Sequence, residues 1–388
     1  MDNFQDEEEL HIEEKRGGGA RRFLIFLLTL VTVFGVIMIA AYRDGTGFDV
    51  LRRVMSYWGN KGESAVEYLY DADRTNRFVP LGDSFAVVSG TSIKLFSEKG
   101  KLLCDKTVKL ANPAVRTGGS ALVAYDVGGT MLYVVQENGE LWELQTEAEE
   151  PYLAATLNDS DYLAVTTEKK SYKGAVSVYD PTGELLFAFH SSDRFVTDAC
   201  VADSNHTLAV VTLGQRDNTF LTNIVLYPLD STEPSGSYAI SDGLVLQIDS
   251  RGRLTTVADT CLTFADETGK VLGSYPYRGQ HLREYELSGD GFAALLLNRY
   301  QSGSVGQLVT VDTAGAELAR LEVTEEILNL SAAGRYLAVL YADRLVIYTS
   351  DLQPYATLPD TTYAKDVLMR RDGSALVLGA SSAKLYLP

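Results

Sequence analysis

The sequence predicts an all-β fold, an eight-bladed β-propeller, from three observations. A short apolar strand recurs at 85–88, 121–124, 162–165, 207–210, 253–256, 292–295, 336–339 and 375–378, with successive starts 36 to 46 residues apart. A second strand and a glycine hairpin follow most copies. A spare strand, 65–70, precedes the first. Four short strands in about forty residues make one propeller blade, and eight copies make eight blades. Seven blades are the alternative if one weak unit is misread. The last unit is one strand short, so 65–70 is expected to close the ring as its outer strand and leave no long open edge.

The hairpins read SEKGKLL, QENGELW, DPTGELL, DETGKVL and DTAGAEL. Taken alone, Asp180-Pro181-Thr182-Gly183 resembles the start of a metal or phosphate loop. Recurrence at one position of five units points instead to a turn in which glycine supplies a positive φ. Pro181 suits the second turn position because its φ is already near −65°.

Ahead of the ring, residues 23–42 (FLIFLLTLVTVFGVIMIAAY) carry no charge. Twenty helical residues span roughly 30 Å, one hydrocarbon core. Lys15, Arg16, Arg21 and Arg22 precede the run and only Arg43 directly follows it. The expectation is therefore an uncleaved plasma-membrane anchor with residues 1–22 as a cytoplasmic acidic tail and 65–388 outside the membrane. Between them, 43–64 reads as a juxtamembrane stalk. Phe48, Leu51, Val54, Met55 and Trp58 fall at helical spacing there, which suggests an amphipathic helix.

Of the 388 residues, 52 are acidic and 34 basic, for a net charge of −18. Residues 1–22 hold seven acidic and four basic side chains, so the remainder carries −15. A body this acidic repels a polyphosphate backbone and argues against nucleic acid as partner. Cys104, Cys200 and Cys261 are widely spaced, form no CxxC pair and sit among strand-like residues. They read as buried small hydrophobes, with one disulfide left open and structural zinc disfavoured.

The acidic tail, the anchor, the FDVLRRVMSYWG stalk and the tyrosine-rich repeats together resemble the uncharacterised domain-of-unknown-function family 5711. That resemblance implies a membrane-anchored propeller, mainly of Gram-positive bacteria, and brings no active site with it. Likeness to WD-repeat and quinoprotein propellers is more distant. The Trp-Asp dipeptide is absent, no two cysteines are adjacent, and only Trp58 and Trp142 occur. The sialidase Asp-box is missing too.

Alternating strands sort the connections into two ends of the ring. Tight polar turns share one end; the other carries the longer loops 168–174, 214–220 and 298–304, with 277–283. Lys169, Lys170, Lys173, Arg194, Arg216, Arg278, Arg283 and Arg299 collect at that long-loop end of units three to six. Tyr172, Phe220, Tyr300 and His281 lie among them. They form a candidate face for an anionic envelope polymer or an acidic envelope protein. No catalytic, cofactor or metal motif is legible, so the expected role is non-catalytic binding or scaffolding. A hydrolase with carboxylates around the channel, or a sensor signalling through the acidic tail, are the alternatives.

Overall fold

The computed structural model describes residues 18–43, residue 53, and 62–388 apart from 217–218 and 241–242. The stalk expected over 43–64 lies almost wholly outside the described residues.

One α-helix, Gly18–Arg43, contains the uncharged run. Its described side chains, 23–36, are almost all exposed. Thr29 and Thr32 donate their hydroxyls to the carbonyls of Ile25 and Leu28, each at 2.8 Å, so neither is left unpaired. Among the described residues no helix is long and apolar enough to cross a membrane. The expected transmembrane helix over 23–42 is thus not supported among the described residues, and its side chains 37–42 lie outside them.

Residues 62–388 form eight four-stranded antiparallel sheets, so the ring has eight blades. Blade 1 comprises Arg77–Leu81, Ser84–Val88, Ser92–Phe96 and Leu102–Thr107. Blades 2 to 7 follow over 113–145, 152–191, 195–240, 245–276, 281–323 and 327–359. Blade 8 holds Asp366–Met369, Ala375–Leu378 and Ser382–Leu387, and is completed by Gly62–Leu69. The spare strand does close the ring, three residues earlier than its sequence suggests. Gly62 pairs with Leu387 and Leu69 with Ser382.

Burial explains the repeat. The second strand of each blade is covered on both faces by neighbouring blades and so reads as a continuous apolar run: Ser84–Val88, Leu254–Ala258 and Phe292–Asn298 are buried at every position. Outer strands such as Glu317–Val323 alternate between exposed and half-buried positions. The core divides into eight apolar clusters, one between each pair of adjacent blades. At the closing seam Tyr68 stands edge-on to Phe85, with ring centroids 5.0 Å apart, and donates its hydroxyl to the Glu98 carbonyl at 2.5 Å. Tyr70 donates to the carbonyls of Gly379 and Ser382.

The turn at Asp180 is built by its own side chain. The carboxylate accepts the N–H groups of Thr182 and Glu184, each at 2.9 Å, and the Thr182 hydroxyl. Desolvation opposes these bonds, but together they prevail and hold the carboxyl below its usual range. Asp266 and Asp312 repeat the arrangement. Gly183, with φ of 86°, lets the chain rejoin the next strand and rests against Trp142 of blade 2. Asp180→Ala is expected to cost about 1 kcal/mol of unfolding free energy, a local loss readable by chemical denaturation.

Candidate functional site

Strand direction fixes what each end of the ring carries. First-to-second and third-to-fourth connections lie at the tight-turn end; the others lie at the long-loop end. The closing strand Gly62–Leu69 begins at the tight-turn end, so the chain joins the ring on the side away from the long loops.

The structure arranges the predicted basic residues differently from one another. Lys169 meets Glu150 at 2.6 Å and Lys170 meets Glu149 at 2.8 Å, so both are neutralised by the connection between blades 2 and 3. Lys170 and its partner Glu149 both stay largely exposed in this pair. Tyr172 packs on His190 with centroids 5.0 Å apart, and the Lys173 ammonium sits 4.7 Å over the Phe195 ring. Arg194 lies 4.0 Å from Asp193 and runs along Gly214. Arg216 ends the strand Thr207–Arg216, and its side chain is outside the described residues.

Towards blade 6, Arg278, His281, Arg283 and Arg299 are exposed. Arg283 shares a cleft of about 360 Å³ with residues 301–304 and with Glu325 and Glu326. Among the described residues Lys173, Arg278, Arg283 and Arg299 form no ion pair. Between these cations stand large apolar side chains in water: Tyr172 is 45% exposed, Phe195 54%, Phe220 62% and Tyr300 64%. Exposed apolar patches rimmed by charge mark interaction surfaces.

Sequence reasoning missed a second place. The first strands of the blades enclose an axial cavity of about 260 Å³, lined by Arg116, Gln247, Asp249, Arg251, Tyr285, Glu286, Asn329 and Asp366 among others. It continues at the tight-turn end into a mouth of about 580 Å³ where Asp290 pairs with Arg371. Several carboxyls in or near this wall are perturbed, Glu286 and Asp366 being the two that line the cavity itself. Asp198 is buried and pushed up to about 6 by desolvation, against the pull of Arg116 and the N–H groups of Ile248 and Ala199. Desolvation pushes Glu284 up to about 7, opposed by the Leu330 N–H and reinforced by Asp366 and Glu286. Asp366 is likewise pushed up to about 7, and Glu286 is raised. Burial pushes the Cys200 thiol up as well. All three cysteines are free, and no cluster of three His, Cys, Asp or Glu groups among the described residues could hold a metal ion.

Residues 60–352 match the family of unknown function DUF5711. The chain belongs to that family. No curated protein matches it in sequence. Similar solved structures include the C-terminal WD40 domain of Sif2, 14% identical, covering 84% of this chain and all of that one with a TM-score of 0.57. The quinohemoprotein alcohol dehydrogenase of Comamonas testosteroni is 11% identical, covering 84% of this chain and 76% of its own, with a TM-score of 0.53. A second such dehydrogenase, from Pseudomonas putida HK5, gives 11%, 83%, 76% and 0.52. At these identities the likeness is one of fold alone.

Proposed function

We propose that this DUF5711 protein is a single-pass, membrane-anchored extracytoplasmic propeller that serves the cell envelope as a non-catalytic binding or scaffolding module. Support for the anchor comes from the uncharged run 23–42 inside the helix Gly18–Arg43 and from the cations that precede it. The recognition face is the long-loop end of blades 3 to 6, and its occupant is an acidic envelope protein. One observation carries this reading: exposed Tyr172, Phe195, Phe220 and Tyr300 lie among Lys173, Arg283 and Arg299, on the end away from where the chain joins the ring. Aromatic anchors with a charged rim suit a protein surface, whereas a polyanion would favour the lysines that Glu149 and Glu150 already neutralise.

Crosslinking the full chain in its native cells tests this. The partner captured by the wild type should be lost, by about tenfold or more, from a Lys173→Glu, Arg283→Glu, Arg299→Glu variant, since each reversed charge at an interface costs a sizeable part of its energy. Undiminished capture refutes the face. A tag after Pro388 should be reached by impermeant reagents in intact cells, and silence there refutes the extracytoplasmic placement.

A hydrolase remains the second reading because Glu284 and Asp366 are carboxyls held near neutrality beside a cavity. Turnover of envelope carbohydrate that disappears in Glu284→Gln would favour it.

A further inference from the structure

The wall of the axial cavity is polar, and the protein satisfies it only in part. Tyr285 of blade 6 donates its hydroxyl to Gln247 Oε1 of blade 5 at 2.8 Å, and the Gln247 amide nitrogen has no partner among the described residues. Asn329 of blade 7 makes no side-chain hydrogen bond with them, and its amide oxygen is buried without one. Arg116 of blade 2 forms no ion pair among them. Glu286 gives Oε1 to the N–H groups of Leu287 and Ser288, at 2.9 and 3.0 Å, and Asp366 gives Oδ1 to that of Val367 at 2.7 Å. The second oxygen of each carboxylate has no such partner. Unused donors and unused acceptors thus line one cavity of about 260 Å³. Buried polar groups are ordinarily hydrogen-bonded, so these call for water or a guest.

Charge and size narrow what the guest can be. Arg116 and Arg251 stand against Asp249, Glu286 and Asp366 in the wall, and Arg251 already engages Asp249 at 3.8 Å and the Ser288 hydroxyl at 2.8 Å. An anion would meet the carboxylates and a cation the arginines, so mixed signs favour neither. Among the described residues no three His, Cys, Asp or Glu groups gather as a metal site. A hydroxyl suits such a wall, because it donates to a carboxylate and accepts from an amide or guanidinium at once. Phe78, Val115 and Leu368 add apolar stretches between the polar groups, which the C–H faces of a sugar ring can cover. The volume lies just under the roughly 300 Å³ at which drug-sized pockets begin, room for one small molecule.

We propose that the axial cavity is a binding site for one neutral polyhydroxy compound of monosaccharide size. Entry is from the tight-turn end, where the mouth shares Pro80, Thr117, Arg251, Ser288 and Ala332 with the cavity. Gly82, Gly118, Gly119, Gly289 and Gly291 line that mouth and carry no side chain to narrow it. Inside, Gln247, Asn329 and Arg116 donate to the hydroxyl oxygens, and Glu286 and Asp366 accept the hydroxyl protons. The site lies apart from the long-loop face, needs no hydrolysis, and is tested independently of both.

Calorimetric titration of the full chain, held in a detergent without sugar headgroups, supplies that test. The probes are D-glucose, D-galactose, N-acetyl-D-glucosamine and myo-inositol, with D-glucosamine and D-glucuronate as cationic and anionic counterparts. At least one neutral probe should bind at one molecule per chain with a Kd of about 1 mM or tighter. The charged counterparts should bind about tenfold more weakly, since each meets a like charge on the wall. Gln247→Leu with Asn329→Leu should weaken binding about tenfold or more, because hydroxyls then meet apolar side chains. On the wild type alone, the saturating probe should slow hydrogen exchange in 245–250, 281–289 and 327–333 and leave the outer strand Glu317–Val323 as it was. Failure of every neutral probe to bind, a channel that holds water only, overturns the assignment. So does tighter binding of a charged counterpart, binding that survives in the double variant, or protection confined to outer strands.

Discussion

Tyr68→Ala is expected to lower the unfolding free energy by about 3–5 kcal/mol, the range for removing a fully buried aromatic side chain. Tyr68 is 1% exposed, edge-on to both Phe85 and Phe96, and hydrogen-bonded to Glu98 of blade 1. It belongs to the closing strand, so its ring is what joins blade 8 to blade 1. Most large-to-small core changes leave a hole inside one sheet; this one opens the seam between the first and last parts of the chain. Tyr68→Phe keeps the ring and loses only the hydroxyl bond, and should cost about 1 kcal/mol. Equilibrium denaturation of the three proteins separates the terms. If the alanine and phenylalanine variants proved equally stable, the aromatic packing would not be what closes the ring.

The second large effect is expected at Gly273, in the outer strand of blade 5. A Cβ there would lie 1.9 Å from the Ala314 carbonyl oxygen in the turn of blade 6. That clash is with backbone, so Gly273→Ala must push two blades apart, at a cost of about 2–3 kcal/mol. Gly183→Ala provides the contrast. Its Cβ would meet Trp142 at an ordinary 3.5 Å, and only the positive φ opposes it, for about 1 kcal/mol. Paired melting curves should show Gly273→Ala clearly the worse of the two.

The contrast also clarifies what the hairpin glycines do. Their recurrence is visible in the sequence as a turn requirement. Their second role, resting the turns at Gly139, Gly183, Gly269 and Gly315 against the outer strand of the preceding blade, needs the neighbouring blade in view. Asp180 was ambiguous in isolation and became intelligible through Asp266 and Asp312, which make the same bonds.

Blade number, the closing strand and the division into two ends were all legible, for one physical reason. A strand buried on both faces must be apolar throughout, and it recurs with the blade. The pairing of Lys169 and Lys170 with Glu150 and Glu149 was missed, although a signal existed: EAEEP precedes blade 3, TEKKS joins its second and third strands, and both connections lie at the same end. The channel carboxyls left no such signal. Glu284 and Glu286 sit in HLREYELSG, an alternating polar strand that reads as solvent-facing. Their environment comes from Arg251, Leu330 and Asp366, on blades about 30 to 80 residues away, and only ring closure brings those together.

The seam at blade 8 has a consequence for biogenesis. Gly62–Leu69 is made before any other strand of the ring, yet it pairs with Ser382–Leu387, which is made after every other. Throughout synthesis it remains an unpaired edge that carries Ala65, Val66, Tyr68 and Leu69. Loop closure over the whole ring is slow, because its entropy must be spent before the pairing returns anything. Nascent chains interrupted before residue 382 should therefore be the aggregation-prone species, and a holding chaperone would find its natural target in the earliest strand.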